Sequence, residues 1–361
     1  NKVMNLLRLK AELLCNGIRL SDDLKPSGYR ASKRASLSEG RCFNLYHNGR
    51  KIPVNAAVHE DFVKDSPFEY DHEQKQLLRE GQPLIEAHII EDPDWLLDEL
   101  PDGTKMSDLF QLHASNAIAT SLVNYCHFKD GGNGCKYCAL DSAEGVVRKE
   151  PAQVAAAVKH LEDKGLNFME LNLNAGTLPG VDRSANLYLE VIREVRKVSS
   201  IPIAAQICPP QELKYIDMLK DAGLTTISFN LEIFDEESRR KICPGKSGVT
   251  VSHYLEALKY ATGVFGRGQV SSWLIAGLEP KERTIAGIRA VSETGAIPFV
   301  TVFRPLIGTE LADMLPPAVD DVIEIFKAVG EAVRENQVNP QESRCGCVNC
   351  NCCSALFESI E

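Results

Sequence analysis

The sequence predicts an α/β protein: a full or partial (βα) barrel, with an N-terminal extension and a short cysteine-rich C-terminal segment. Three observations carry this. Short apolar or alternating runs recur six times between residues 119 and 303. A helical pattern separates each run from the next. Outside that stretch the texture changes: residues 1–110 hold no sustained period, and residues 341–361 hold five cysteines. We therefore divide the 361 residues into 1–110, a possible substrate- or partner-binding extension, 111–335, the barrel, and 336–361, a cysteine-rich segment.

Leu6, Leu9 and Leu13 fall on one helical face, while Lys2, Arg8, Lys10 and Glu12 interrupt any signal-peptide core. Between Lys25 and Lys51 lie seven basic residues and one acid, Glu39. That stretch reads as a solvated loop, or as a receiver of an anionic substrate or acidic partner. Residues 91–102 are acidic, contain Pro93 and Pro101, and read as a connector. Strands are expected at 119–125, 168–174, 201–207, 225–231, 270–276 and 299–303. Helices are expected at 151–164, 187–198, 211–222, 253–261, 284–294 and 319–334. The first of these is the clearest, with Pro151 in its first turn, Val154, Val158 and Leu161 on one face, and Gly165 as its stop. Strands and helices in such alternation build a parallel sheet with helical crossovers, and barrels of this kind keep their chemistry at the carboxyl ends of the strands. The last segment is too small for a core of its own and needs a metal or docking onto the barrel.

Composition narrows the function. An apolar fraction of 44% and a charged fraction of 25% are those of a globular protein, not of collagen or a disordered chain. With 40 Lys+Arg against 50 Asp+Glu, the net charge of −10 disfavours sequence-independent nucleic-acid binding. No run of about 18 apolar residues predicts a membrane span. A cytoplasmic location is expected, where thiols stay reduced and the clustered ones among 12 cysteines read as metal or iron–sulfur ligands.

Cys126, Cys135 and Cys138 follow the first barrel strand as C-x8-C-x2-C, with Gly131, Gly132 and Gly134 in the loop. Three thiolates hold three irons of a [4Fe–4S] cluster and leave the fourth iron for an exchangeable ligand. A structural zinc is the alternative, with His127 or Cys208 as fourth ligand. Position after the first strand favours the cluster.

With these residues the chain resembles the radical S-adenosylmethionine (SAM) superfamily. That family typically carries C-x3-C-x2-C in this loop, with an aromatic before the last cysteine. Tyr137 matches the aromatic, whereas the first gap is longer by five residues. Further matches follow the strands in order. Asn174-Ala175-Gly176-Thr177 lies where the family receives the SAM amino group, and only Gly176 is kept. Asn230-Leu231-Glu232, followed by Arg239 and Arg240, is similar to the Asn-Leu-Asp/Glu of biotin and lipoyl synthases. The resemblance implies that Glu232 meets the SAM ribose and that an arginine holds its carboxylate. The run from Trp273 through Ile275 and Gly277 to Glu279 is similar to the strand whose backbone receives adenine. Pro305 with Gly308-Thr309-Glu310-Leu311 is similar to a biotin synthase motif. The resemblance spans about residues 115–315. Gln206, Asn172 and Asn174 stand at strand ends, either lining the lumen or capping backbone groups. Pro244-Gly245-Lys246-Ser247 is not a phosphate loop, because position 240 is Arg.

The implied chemistry is reductive cleavage of SAM to a 5′-deoxyadenosyl radical, which takes hydrogen from an unactivated carbon. A reductant such as a flavodoxin or ferredoxin, and a small or carrier-protein-bound substrate, are the implied partners. The C-terminal thiols form C-x-C-x2-C-x-C-C. Four suffice for a second iron–sulfur cluster, and Cys345, Cys347, Cys350 and Cys353 are the expected set, with Cys352 spare. Zinc or redox thiols are the alternatives. Likeness to the biotin and lipoyl synthase branch favours sulfur insertion, although the usual lipoyl synthase auxiliary motif is absent and Cys15 and Cys42 do not reproduce it. Radical C–C bond formation, rearrangement or methylation with an electron-relay cluster is the second reading. A non-catalytic zinc-binding barrel is the third.

Overall fold

The computed structural model describes residues 4–24, 40–140 and 148–361. Helix α1 (Leu6–Asn16) forms as the leucine spacing predicts and buries Leu9, Leu13 and Leu14. Asn5 caps it by accepting from the Arg8 amide at 2.9 Å.

Residues 41–89, where no periodic pattern was evident, form an antiparallel sheet. Its strands are β1 (Arg41–His47), β2 (Arg50–Ala56), β3 (Phe68–Asp71), β4 (Gln76–Arg79) and β5 (Gln82–Ile89), in the order β2-β1-β5-β4-β3. The signal was local. Asn48-Gly49 supplies two positive-φ residues between β1 and β2, the demand of a tight hairpin turn. This corrects the reading of the basic stretch as one loop. Arg41 sits in a strand and pairs with Asp92 at 3.6 Å, and Arg50 pairs with Glu361. Lys25 to Glu39 lies outside the described residues.

After the short α2 (Met106–Leu109) comes the barrel. Its elements are β6 (Gln111–His113), β7 (Ala117–Ser121), α3 (Pro151–Asp163), β8 (Glu170–Asn174), α4 (Ala185–Arg196), β9 (Ile203–Gln206), α5 (Lys214–Ala222), β10 (Thr226–Ser228), α6 (Glu236–Ile242), α7 (Val251–Phe265), β11 (Val270–Ala276), α8 (Lys281–Glu293), β12 (Ile297–Val302) and α9 (Val319–Glu335). Six parallel strands, β7 to β12, lie side by side in chain order, and β6 adds an antiparallel edge. Among the described residues β12 and β6 do not pair, so the barrel is partial. Each predicted strand and helix of this region is present. The unforeseen α6 has no apolar stripe to announce it, because its one fully buried residue is Arg239.

The C-terminal segment holds α10 (Cys347–Cys350) and α11 (Leu356–Ile360). It docks, with Val348, Ala355 and Leu356 joining the main core. Glu170 accepts the Gly346 amide, the Thr226 hydroxyl lies 3.2 Å from the Cys345 sulfur, and the Gln269 side chain accepts the Arg344 amide at 3.1 Å. Those partners sit at or just before the amino ends of β8, β10 and β11. The segment therefore enters the half-barrel from the end opposite the loop that follows β7. Among the described residues no helix is long and apolar enough to cross a membrane.

Candidate active site

One large cavity runs through the half-barrel, from the loop after β7 at the carboxyl ends of its strands to Glu170 and Cys347 toward their amino ends. Cys126, Cys135 and Cys138 line one part of it; Cys42, Cys347, Cys350, Cys352 and Cys353 line another. Among the described residues no three His, Cys, Asp or Glu side chains are already arranged as around a single ion.

The first cysteine loop is pinned on both sides. Its Lys136 amide donates to the Ile242 carbonyl at 2.9 Å, and the His127 amide donates to the Thr177 carbonyl at 2.8 Å. His127 Nδ1 meets that same carbonyl, also at 2.8 Å. Gly176 is required here because a Cβ at its position would stand 1.9 Å from the Tyr125 carbonyl oxygen. Its place in the sequence thus reflects close backbone approach.

Charge concentrates beside the loop. Glu232 follows β10 with φ 68°, a strained backbone for a residue with a side chain. Its carboxylate accepts from Tyr137 and from Lys246, the latter at 2.6 Å. Burial works against the Lys246 charge, but the Glu232 carboxylate, foremost of the acidic groups around it, helps raise the pKa well above its ordinary value. A hydrogen bond from Cys243 and the charge of Lys246 hold the Cys135 thiol below its usual range despite burial, whereas burial pushes Cys138 up to about 12. Tyr137, Ile233, Cys243, Ile275, Leu278 and Phe303 form a small apolar cluster against this loop.

The expected SAM-binding residues separate into two groups. Tyr137, Asn174, Gly176, Gln206, Asn230 and Glu232 line the cavity. Arg239, Arg240, Ile275, Gly277 and Pro305 do not. Arg239 is buried, and its guanidinium donates to the carbonyls of Leu231, Ile233 and Val249 at 2.8, 3.1 and 2.9 Å, so it braces the turn that carries Glu232. Arg240 is exposed and pairs with Glu236. Lys246, in a motif dismissed as a phosphate loop, does line the cavity, as do Arg41 and Lys129. Gly277 packs against Pro317 with φ 109°, and Ile275 belongs to the apolar cluster.

A line of amides crosses the strand ends. Asn230 Nδ2 donates to Gln206 Oε1 at 3.0 Å, and Gln206 Nε2 reaches Asn172 Oδ1 at 3.4 Å and the Cys347 sulfur at 3.2 Å. Trp273 and Phe299 stack at 5.1 Å and line the cavity too, and the buried Trp273 Nε1 has no hydrogen-bond partner among the described residues. Sequence reading passed over Lys246 and Trp273, whose meaning depends on what surrounds them. Of the expected second set, Cys347, Cys350 and Cys353 face the cavity. Cys345 instead lines a smaller recess, against Thr226, and burial raises its thiol to about 12.

Three thiols on one strand-end loop, beside a half-buried cation and carboxylate, are the donor types that a thiolate-held metal group and a charged ligand call for. The family model described as the radical SAM superfamily matches residues 120–322, and the chain belongs to that superfamily. Membership makes it a radical SAM enzyme rather than a zinc-binding barrel without catalysis, and implies a [4Fe–4S] cluster and SAM. The chain is 25% identical over 350 residues to bacteriochlorophyllide c C-7(1)-hydroxylase of Chlorobaculum limnaeum, covering 90% of this chain and 84% of that protein. It is also similar to the crystal structure of methylornithine synthase, with a TM-score of 0.48, 17% identity and 64% of each chain covered, under two thirds of that structure's length. The FeFe-hydrogenase maturase HydG from Carboxydothermus hydrogenoformans gives a TM-score of 0.46 and 19% identity, over 61% of this chain and 51% of that one.

Proposed function

We propose that this chain carries a [4Fe–4S] cluster on Cys126, Cys135 and Cys138, binds SAM beside it, and functionalises an unactivated carbon of a small or carrier-borne substrate. The carrying observation is that two cysteine groups, approaching from opposite ends of the half-barrel, face one cavity. The donor set suits the cluster: three cysteines on one loop leave one iron without a protein thiolate. Cluster and SAM together supply a hydrogen-abstracting radical once an external reductant, such as a flavodoxin or ferredoxin, delivers an electron.

The chain's own side chains do the binding and the exclusion. Glu232 offers a carboxylate to ribose hydroxyls, and Lys246 offers the charge for a carboxylate in place of the expected arginines. Asn172, Gln206, Asn230 and Trp273 Nε1 offer neutral hydrogen bonds to substrate, while Trp273 and Phe299 keep water from the reacting carbon.

Two fates for the carbon are supported. Sulfur insertion is favoured by the second cysteine group on the same cavity, as expected for a biotin synthase-like sulfurtransferase. Oxygen insertion is favoured by the hydroxylase relative. Iron-loaded protein, treated anaerobically with dithionite and SAM, should release 5′-deoxyadenosine, and Cys138→Ala should release none. Absence of 5′-deoxyadenosine from the loaded wild type would sink the proposal. With a turned-over substrate, heavy-isotope sulfide in the clusters or heavy-oxygen water then labels the product under one reading only.

A further inference from the structure

Cys42 stands apart in the sequence, more than three hundred residues from the C-terminal thiols. Strand β1 holds it opposite Asn55, and its carbonyl accepts the Ile90 amide at 2.8 Å. Its sulfur lies 3.3 Å from that of Cys352 and accepts from Asn55 Nδ2 at 3.5 Å. Cys350 belongs with them on the cavity lining. These three thiols line the cavity with Cys347 and Cys353, whereas Cys345 does not.

The surroundings fix this arrangement. The Asn55 amide donates to the Cys352 carbonyl at 2.8 Å. Buried Arg304 holds Asn55 through two bonds, 2.9 Å to Oδ1 and 3.0 Å to the carbonyl. From the other side, buried Lys10 donates to the Asn351 carbonyl and pairs with buried Glu358 at 3.4 Å. Arg304 thus anchors the residue opposite Cys42, and Lys10 the residue next to Cys352.

We infer that Cys42 is a ligand of a second [4Fe–4S] cluster, joining Cys350, Cys352 and one of Cys347 or Cys353, and that Cys345 is not. The inference deepens the proposed function by naming what holds the second group. Zinc also accepts four sulfurs, but a closed structural zinc gains nothing from facing a reaction chamber.

The test removes the first site. A Cys126→Ala/Cys135→Ala/Cys138→Ala protein, reconstituted anaerobically with iron and sulfide, should hold about four irons per chain. Adding Cys345→Ala should leave that content and the electron paramagnetic resonance signal of the reduced cluster unchanged. Adding Cys42→Ala should remove most of the iron, with the far-ultraviolet dichroism of the apo-protein retained. Should Cys42→Ala fail to fold, Cys42→Ser keeps the size and must still shift the resonance signal. Full iron and an unshifted signal with Cys42 replaced, loss of iron with Cys345→Ala, zinc without iron, or a Cys42–Cys352 disulfide in the reconstituted protein would each overturn the inference. None of these readouts uses SAM, so they stand apart from failure of SAM cleavage.

Discussion

At the scale of single residues, the Glu232–Lys246 pair is the most exposed to test. Both side chains are largely buried, 16% and 14% accessible, so removing one charge strands the other. Lys246→Met should destabilise the protein by about 3 kcal/mol, the low end for a broken buried pair because some water still reaches it. It should also weaken SAM binding, which titration calorimetry reads directly. The pH dependence has a definite sign. Lys246 titrates above its ordinary 10.5 when folded, so the pair's contribution is complete below that pH and fades as pH rises through the folded value. The stability gap between wild type and Lys246→Met should thus be flat through neutrality and close only in strong base. Trp273→Phe keeps the ring but removes an unpartnered donor. It should raise the substrate KM about tenfold, the worth of one hydrogen bond, while 5′-deoxyadenosine release without substrate stays unchanged.

Among the elements, the packing of α11 on α9 decides whether the C-terminal segment stays docked. Gly330 lies inside α9, and a Cβ there would stand 2.1 Å from the Ser359 carbonyl oxygen. Gly330→Ala must push α11 away despite alanine's better helix propensity. A loss of about 1–3 kcal/mol in urea unfolding is expected, as for other overpacked contacts. Helices α3 and α9 were legible because their apolar residues recur at helical spacing, and the strands because they form short apolar runs. Helix α6 was not, because its inward face is an arginine whose burial is permitted by backbone carbonyls it meets only after folding. The N-terminal strands were missed for a different reason: they are short, half-buried and flanked by charges, and only the Asn48-Gly49 turn marked them.

For the whole molecule, Arg304 just after β12 ties the N-terminal sheet to the half-barrel through Asn55. Arg304→Met should cost about 1–3 kcal/mol, the penalty for leaving buried acceptors unpaired. It should also speed limited proteolysis between β5 and β6 while the barrel itself remains protected. The amino-acid sequence alone determined the α/β class and the six βα units and marked out the clustered Cys126, Cys135 and Cys138, because hydrophobic period and residue spacing are local properties of a chain. It also indicated Glu232, which the structure sets against the same cavity. Only the tertiary structure decided that Lys246 rather than Arg239 or Arg240 meets that cavity, and that Cys42 lies against Cys352 while Cys345 turns away. Those choices depend on which distant segments fold together, and a buried side chain's role follows from the partners that burial gives it.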